Sequence, residues 1–242
     1  MDTIILGDGP LGAAIATAFR ARGTEAMLLG RPRGRAQDRT DLGTPELVIE
    51  ASRSDAVADN VAAALAAGCR RFVIATTGWD AHRTDVEADL RAHRAAAVAA
   101  PNLSIGAALF FRLVDRASEL IGAIDDFEPY LLEWHRRTKR DRPSGTAREL
   151  VRRVSAASRW SGDELEIAVI RAGASPGMHL VGFDSPGETI ELRLTARDRS
   201  AYAAGALAAA DWLSRTARPA GIHQFDEVVD ELLAAPALAV SA

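Results

Sequence analysis

The chain has 242 residues, 48% of them hydrophobic and 26% charged, the balance of an ordinary globular protein with room for one or two domains. Its 29 basic and 33 acidic side chains leave a formal net charge of −4, which argues against general electrostatic binding to nucleic acid but permits a local anion site. A single cysteine, Cys69, excludes an internal disulfide and any metal centre built from several thiolates.

The opening MDTIILGDGP carries no basic segment ahead of its short apolar run, unlike a secretory leader. The longest apolar stretches are broken by Pro101, Asn102 or Arg112, short of the roughly 20 apolar residues a membrane helix needs. A cytoplasmic protein without membrane or nucleic-acid partners is expected. In chain order, residues 3–6 (TIIL) read as a strand ending in Gly7, and a helix follows from Pro10 to about Arg22. Strands are expected at 25–29, 47–51, 71–75 and 95–99, with helices over 54–67 and 80–94. Strands alternating with helices imply a parallel sheet covered on both faces. After Pro101 the pattern changes. One long helix spans 104–121, and four strand-like runs follow (EPYLLEWHRR, ELEIAVIRAG, MHLVGFD, ETIELRLTA), punctuated by Ser-Pro-Gly turns at 175–177 and 185–187. These predict a second domain on a mostly antiparallel sheet, then helices near 200–216 and 225–235.

Gly7-Asp8-Gly9-Pro10-Leu11-Gly12 is a G-x-G-x-x-G that follows a strand and opens a helix, the context in which such a loop binds a dinucleotide pyrophosphate on its backbone amides. A turn that merely needs glycine is the alternative. An acidic residue at the end of the second strand would select NAD. This chain has Gly30-Arg31-Pro32-Arg33-Gly34-Arg35 instead. Guanidinium groups suit a 2′-phosphate, so Arg31 and Arg33 point to NADPH, with NADH as the alternative and a solvated basic loop as the bland reading.

The most informative segment runs from Glu133 to Ala147, EWHRRTKRDRPSGTA. Ser144-Gly145-Thr146 introduces a helical run, so free amides and two hydroxyls meet at a helix start, a carboxylate or phosphate site. His135, Lys139 and several arginines make the region cationic and favour an anionic ligand. A helix cap beside a solvated basic loop would look the same in isolation.

In its order of Glu, His, Lys and Asp-x-Pro-Ser-Gly-Thr-Ala, the segment resembles the signature of bacterial dihydrodipicolinate reductases. Other pieces agree: Thr76-Thr77-Gly78-Trp79 resembles the family's loop after the fourth strand, Pro101-Asn102-Leu103 its interdomain hinge, and Arg171 to His179 part of its substrate-domain sheet. The resemblance covers nearly the whole chain. It implies a Rossmann-type doubly wound dinucleotide-binding domain (1–104 and 217–242) and an α+β substrate-binding and oligomerisation domain with an open mixed sheet (105–216), usually assembled as a homotetramer. It further implies NADPH-dependent reduction of a cyclic imine or enamine dicarboxylate in lysine biosynthesis. By position, His135 matches the acid/base residue and Lys139 the proton donor. Arg136, Ser144, Gly145 and Thr146 fall at substrate contacts. Gly7 to Gly12, Arg31, Arg33, Ala75, Thr76, Thr77, Pro101, Asn102 and Leu103 fall along the cofactor, and no metal is implied.

The chain departs from the family pattern in places. Arg136 stands where a second His is usual, Ala75 where a Gly opens the Thr-Thr-Gly loop, Glu50-Ala51-Ser52 where Asp-Phe-Thr is common, Pro10 where a basic residue is common, and Leu194 where a His is often found. The glycine loop is one residue shorter. These changes keep open a divergent reductase of another cyclic imine or unsaturated carboxylate, and a non-catalytic NADP-binding scaffold. Cys69, Trp160 and Trp212 read as packing residues, and His179, on a substrate-domain strand, as a core or interface residue with approach to the ligand as the alternative. Trp79 is equally open to packing and to cofactor contact.

Overall fold

The computed structural model describes residues 2–31, 41–162 and 165–234. The chain divides into two compact units, residues 1–105 with 199–242, and residues 106–198.

The first unit is built on six parallel strands, β1 (Thr3–Leu6), β2 (Ala26–Leu29), β3 (Leu47–Glu50), β4 (Arg71–Ile74), β5 (Ala96–Ala99) and β10 (Gly221–His223), in the order β10-β5-β4-β3-β1-β2. The central strands are continuous runs of buried apolar residues, as strands covered on both faces must be. Alternate residues serve opposite faces. Ile4, Leu6, Val48, Phe72 and Ile74 pack with Val57, Val61 and Leu65 of α2 (Val57–Ala66) and with Val86 and Leu90 of α3 (Arg83–Ala92). The other face is covered by α1 (Pro10–Ala21) and α6 (Ser200–Arg215).

Helix α6 corrects the expected domain boundary, which placed residues up to 216 in the second domain. Its buried face is made largely of Ala203, Gly205, Ala206, Ala209 and Ala210, small enough for the helix backbone to approach the chain beneath. A Cβ on Gly205 would lie 1.6 Å from the Leu103 carbonyl oxygen. Asp211 also accepts a hydrogen bond from Arg22 just past α1 at 2.8 Å. Strand β10 was not anticipated, because three residues are too few to show a period. Trp79 is 5% exposed within the α2/α3 core, which assigns it to packing. Cys69 is fully buried, and burial pushes its thiol up to about 11, so it is an inert small apolar group.

In the second unit, α4 (Ile105–Ile121, its first residue in the first unit) and α5 (Gly145–Ala157) cover one face of a four-stranded sheet, β6 (Glu128–His135), β7 (Glu166–Arg171), β8 (Gly177–Asp184) and β9 (Thr189–Ala196). The order is β7-β6-β8-β9. Strands β6/β8 and β8/β9 pair antiparallel, while β6/β7 pair parallel, so the sheet is mixed. Helix α5 is the reason, since a helical crossover returns the chain to the same end of the sheet. Phe110, Val114, Leu131, Leu150, Val154, Trp160, Val181 and Phe183 form the core between helices and sheet.

Candidate active site

In the first unit, Gly9, Pro10, Leu11, Ala75, Thr76 and Thr77 line one cleft of about 270 Å³. Ala51 and Ser52, in the loop after β3 where the family resemblance puts the nicotinamide, complete it with Ser54 and Arg199, two residues that the sequence reading did not place at the cofactor. The cleft lies past the carboxyl ends of β1, β3 and β4, where the strand order reverses about β1 and β3. Open α/β sheets bind ligands at that switch point, a rule that could have found Ser54 from the strand reading.

The glycine loop fits a dinucleotide. Gly7 has φ of +112°, and a Cβ there would sit 2.4 Å from the Ala51 carbonyl oxygen. At Gly12 a Cβ would stand 1.9 Å from the Gly7 carbonyl oxygen, whereas the Cβ position at Gly9 meets nothing within 4 Å. Two glycines thus let the loop fold tightly and the middle one leaves its amide approachable, with Pro10 opening α1 at its first turn.

Below the cleft, Glu50 is fully buried at the end of β3. Its Oε1 accepts hydrogen bonds from Ser52 Oγ and from Asn60 Nδ2, the latter at 3.0 Å, and its backbone carbonyl accepts from the amides of Ala75 and Thr76. Burial raises its carboxyl above the ordinary glutamate range against these hydrogen bonds. One residue therefore ties together the loops after β3 and β4, through its side chain and its backbone carbonyl respectively, and both loops line the cleft.

Asp8 brings a correction. In linear order no carboxylate stands at the tip of β2, but the folded loop places Asp8 there: a Cβ built on Gly30 would lie 2.6 Å from Asp8 Oδ2. Arg31 is exposed beside it, and Arg33 lies outside the described residues. The remaining candidates do not line the cleft. Pro101 is exposed, Asn102 Oδ1 accepts the Ser104 amide at 2.9 Å, and Leu103 is 3% exposed in the core.

In the second unit a buried polar cluster forms on the helix-covered face of the sheet. Register brings it together: Glu133 on β6 stands opposite His179 on β8, and His135 opposite Arg171 on β7. Glu133 has no exposed surface. Its Oε1 accepts from Arg171 Nη2 at 2.6 Å, and both its oxygens accept from the Ser144 amide, at 3.1 and 3.2 Å. Burial pushes this carboxyl up, but hydrogen bonds from Ser144 and Arg171 outweigh it and hold Glu133 below the usual range. Ser144 is the N-cap of α5, its Oγ accepting from the Ala147 amide at 3.1 Å. The same Oγ lies 3.1 Å from His179 Nε2, which is 3.4 Å from His135 Nε2.

His135 Nδ1 faces the Pro176 carbonyl oxygen at 3.3 Å. A carbonyl only accepts, so Nδ1 carries the hydrogen and the Nε2 lone pair of the neutral ring turns toward the cluster. Burial, followed by the attraction of Glu133 and the repulsion of Lys139, leaves His135 below its ordinary value. Burial and the neighbouring His135 push His179 down to about 4. Its reading as a core residue holds, since His179 is 6% exposed, and the structure adds its partner, His135. Its place directly across the strand pair from Glu133 was the missing signal, and that register is not written in the sequence.

Lys139 stands at the rim, its Nζ 2.8 Å from Asp141 Oδ1 and its side chain 26% exposed. Gly145 and Thr146 are the first two residues of α5, so their amides lack intrahelical acceptors. Arg136 is exposed and donates from Nε to Thr138 Oγ1 at 3.2 Å; no hydrogen bond among the described residues joins its side chain to the cluster. A buried acid–imidazole–hydroxyl cluster, a lysine at its rim and a helix N-terminus together suit an anionic substrate and proton transfer.

Known proteins resemble this chain over most of its length. Residues 106–229 match the family model described as dihydrodipicolinate reductase, C-terminus. The 4-hydroxy-tetrahydrodipicolinate reductase of Sulfurimonas denitrificans is 33% identical over 208 residues, 78% of each chain. That of Syntrophobacter fumaroxidans is 31% identical over 205 residues, 78% of this chain and 74% of the relative. Among solved structures, dipicolinate-bound dihydrodipicolinate reductase from Paenisporosarcina sp. TG-14 shares the fold with a TM-score of 0.70 at 16% identity, over 93% of this chain and 97% of that one. Diaminopimelate dehydrogenase of C. glutamicum does so with a TM-score of 0.56 at 14% identity, over 98% and 99%. By sequence relatedness across both units, the chain belongs to the dihydrodipicolinate reductase family.

Proposed function

We propose that the protein reduces the cyclic imine or enamine dicarboxylate made by dihydrodipicolinate synthase, using a nicotinamide dinucleotide. The observation that carries this reading is the His135–His179–Ser144–Glu133 cluster set at the start of α5, with Lys139 at its rim. When bound, the nicotinamide supplies the hydride. Hydride addition to a conjugated imine leaves one proton to be delivered, and Lys139, as an ammonium partly open to solvent, is the group to deliver it. His135 sits within the charge set that orients it. The amides of Gly145 and Thr146 and the positive end of α5 receive a substrate carboxylate.

Cofactor choice rests on two opposed groups. Asp8 at the β2 tip suits the ribose hydroxyls of NADH, and Arg31 beside it suits the 2′-phosphate of NADPH. Use of both is the proposal, with Asp8→Ala tilting the preference toward NADPH. Self-association is proposed through the helix-free face of the second sheet. Leu132, Trp134 and Ile170 share that face by their alternation, and Trp134 and Ile170 remain 38% and 41% exposed, an apolar patch of the kind interfaces use.

A second reading is favoured by one observation. Arg136, where the family's second His stands, points to solvent rather than into the cluster. A reductase of a different unsaturated carboxylate would tolerate that change. The deciding experiment is oxidation of NADPH and NADH by purified protein with freshly formed synthase product. Rapid turnover, lost in Lys139→Ala and reduced in His135→Ala, supports the first reading. Cofactor binding without turnover overturns it in favour of the second.

A further inference from the structure

Three potential metal-ligand atoms converge in the second unit. His135 Nε2 and His179 Nε2 are 3.4 Å apart, and Glu133 Oε2 lies 3.6 and 3.7 Å from them. A point equidistant from the corners of a triangle with these edges lies about 2.1 Å from each, matching Zn–N and Zn–O bond lengths. We propose that Glu133, His135 and His179 form a binding site for a borderline divalent cation, Zn2+ foremost.

The donor set is right for that ion. Two imidazoles and one carboxylate, with a further position left open, is a ligand combination known for zinc. Supporting contacts are of the kind that orient metal ligands. The Pro176 carbonyl at Nδ1 fixes the His135 tautomer with Nε2 inward. Arg171 bonds Glu133 through Oε1, while Oε2, which also accepts the Ser144 amide at 3.2 Å, forms the third corner of the triangle. Ser144 Oγ lies 3.1 Å from His179 Nε2, within the same cluster. Two ion pairs stand beside the triangle, Glu133 with Arg171 and Lys139 with Asp141.

Binding does not depend on the reductase reading. Its consequence does, since a metal held by His135 and Glu133 rearranges the groups around Lys139 and blocks turnover. Zinc then acts as a reversible inhibitor of the site.

The test is a titration of the full chain with Co2+, a visible-light reporter of tetrahedral coordination, followed by displacement with Zn2+. One equivalent of tetrahedral Co2+ is expected. Loss of a ligand in His179→Gln should weaken binding by more than about tenfold, the size of effect that even outer contacts reach. The surface pair His223–Glu227, 2.9 Å apart, is the competing place for a cation, so His223→Gln should leave the spectrum unchanged. Absence of the tetrahedral band, its persistence in His179→Gln, or its loss in His223→Gln overturns the proposal. Should His179→Gln fail to fold, anomalous diffraction from wild-type crystals soaked in Zn2+ decides: a peak bonded to the three named atoms supports the site, and peaks elsewhere or none overturn it. Spectroscopic binding without any reductase activity would leave the site standing while the proposed reaction fell.

Discussion

Replacing Glu133 by Gln tests whether the buried ion pair organises the second unit. Glu133 is 0% and Arg171 7% exposed at the side chain, with Nη2 2.6 Å from Oε1. Removing one partner of such a pair typically costs about 3–5 kcal/mol, because the other charge stays buried and unpaired. Arg171 still donates to the carbonyls of Asp141 at 2.6 Å and Ile170 at 2.9 Å, and the new amide still offers an oxygen to Ser144, so the lower end, about 3 kcal/mol, is expected. For a chain of this length that is a fall in melting temperature of roughly 6–12 °C. The assay is urea unfolding followed by fluorescence of Trp134 and Trp160, both in the second unit, with Arg171→Met and the double variant completing a cycle. The double variant should lose clearly less than the sum of the singles, by about 1 kcal/mol or more. A loss below about 1 kcal/mol in Glu133→Gln, with additive singles, would refute the claim that this pair holds the cluster together.

Further outcomes are expected. Burial raises the Glu50 carboxyl above its ordinary value of 4.5, so the unfolded chain ionises there first and stability from this group is lost as pH rises past that point. Glu50→Gln should flatten that part of a melting-temperature profile, and an unchanged slope would contradict it. A Cβ at Gly177 would stand 2.8 Å from His135 Cε1. Gly177→Ala should therefore displace the ring, costing about 1–3 kcal/mol and lowering kcat while leaving cofactor affinity intact; equal kcat in the variant counts against it. Ile170→Asp, at the helix-free face, should shift the assembly to smaller species in light scattering, and an unaltered mass would show that association uses another surface.

Much of the molecule was legible in the chain. The glycine loop, the alternation of strand and helix through residue 99, and the capped helix after Ser144 are set by local rules, namely side-chain period, turn chemistry and orphan amides at a helix start. His135, Lys139 and the Ser144–Thr146 start stand close together in sequence, so one segment announced them. What tertiary structure decided involves partners distant in the chain. His179 reaches His135 only through the antiparallel register of β6 and β8, and a slip of one residue would turn it to the other face. Asp8 reaches Gly30 only because β1 and β2 pair in parallel and end side by side. Glu50 became a buried strut only once β3 lay inside the sheet. Helix α6, alanine-rich and locally ambiguous, went to the first unit because its small residues fit the backbone around Leu103. Local patterns specify elements, but which polar groups share one buried volume is set by register and packing across the sheet.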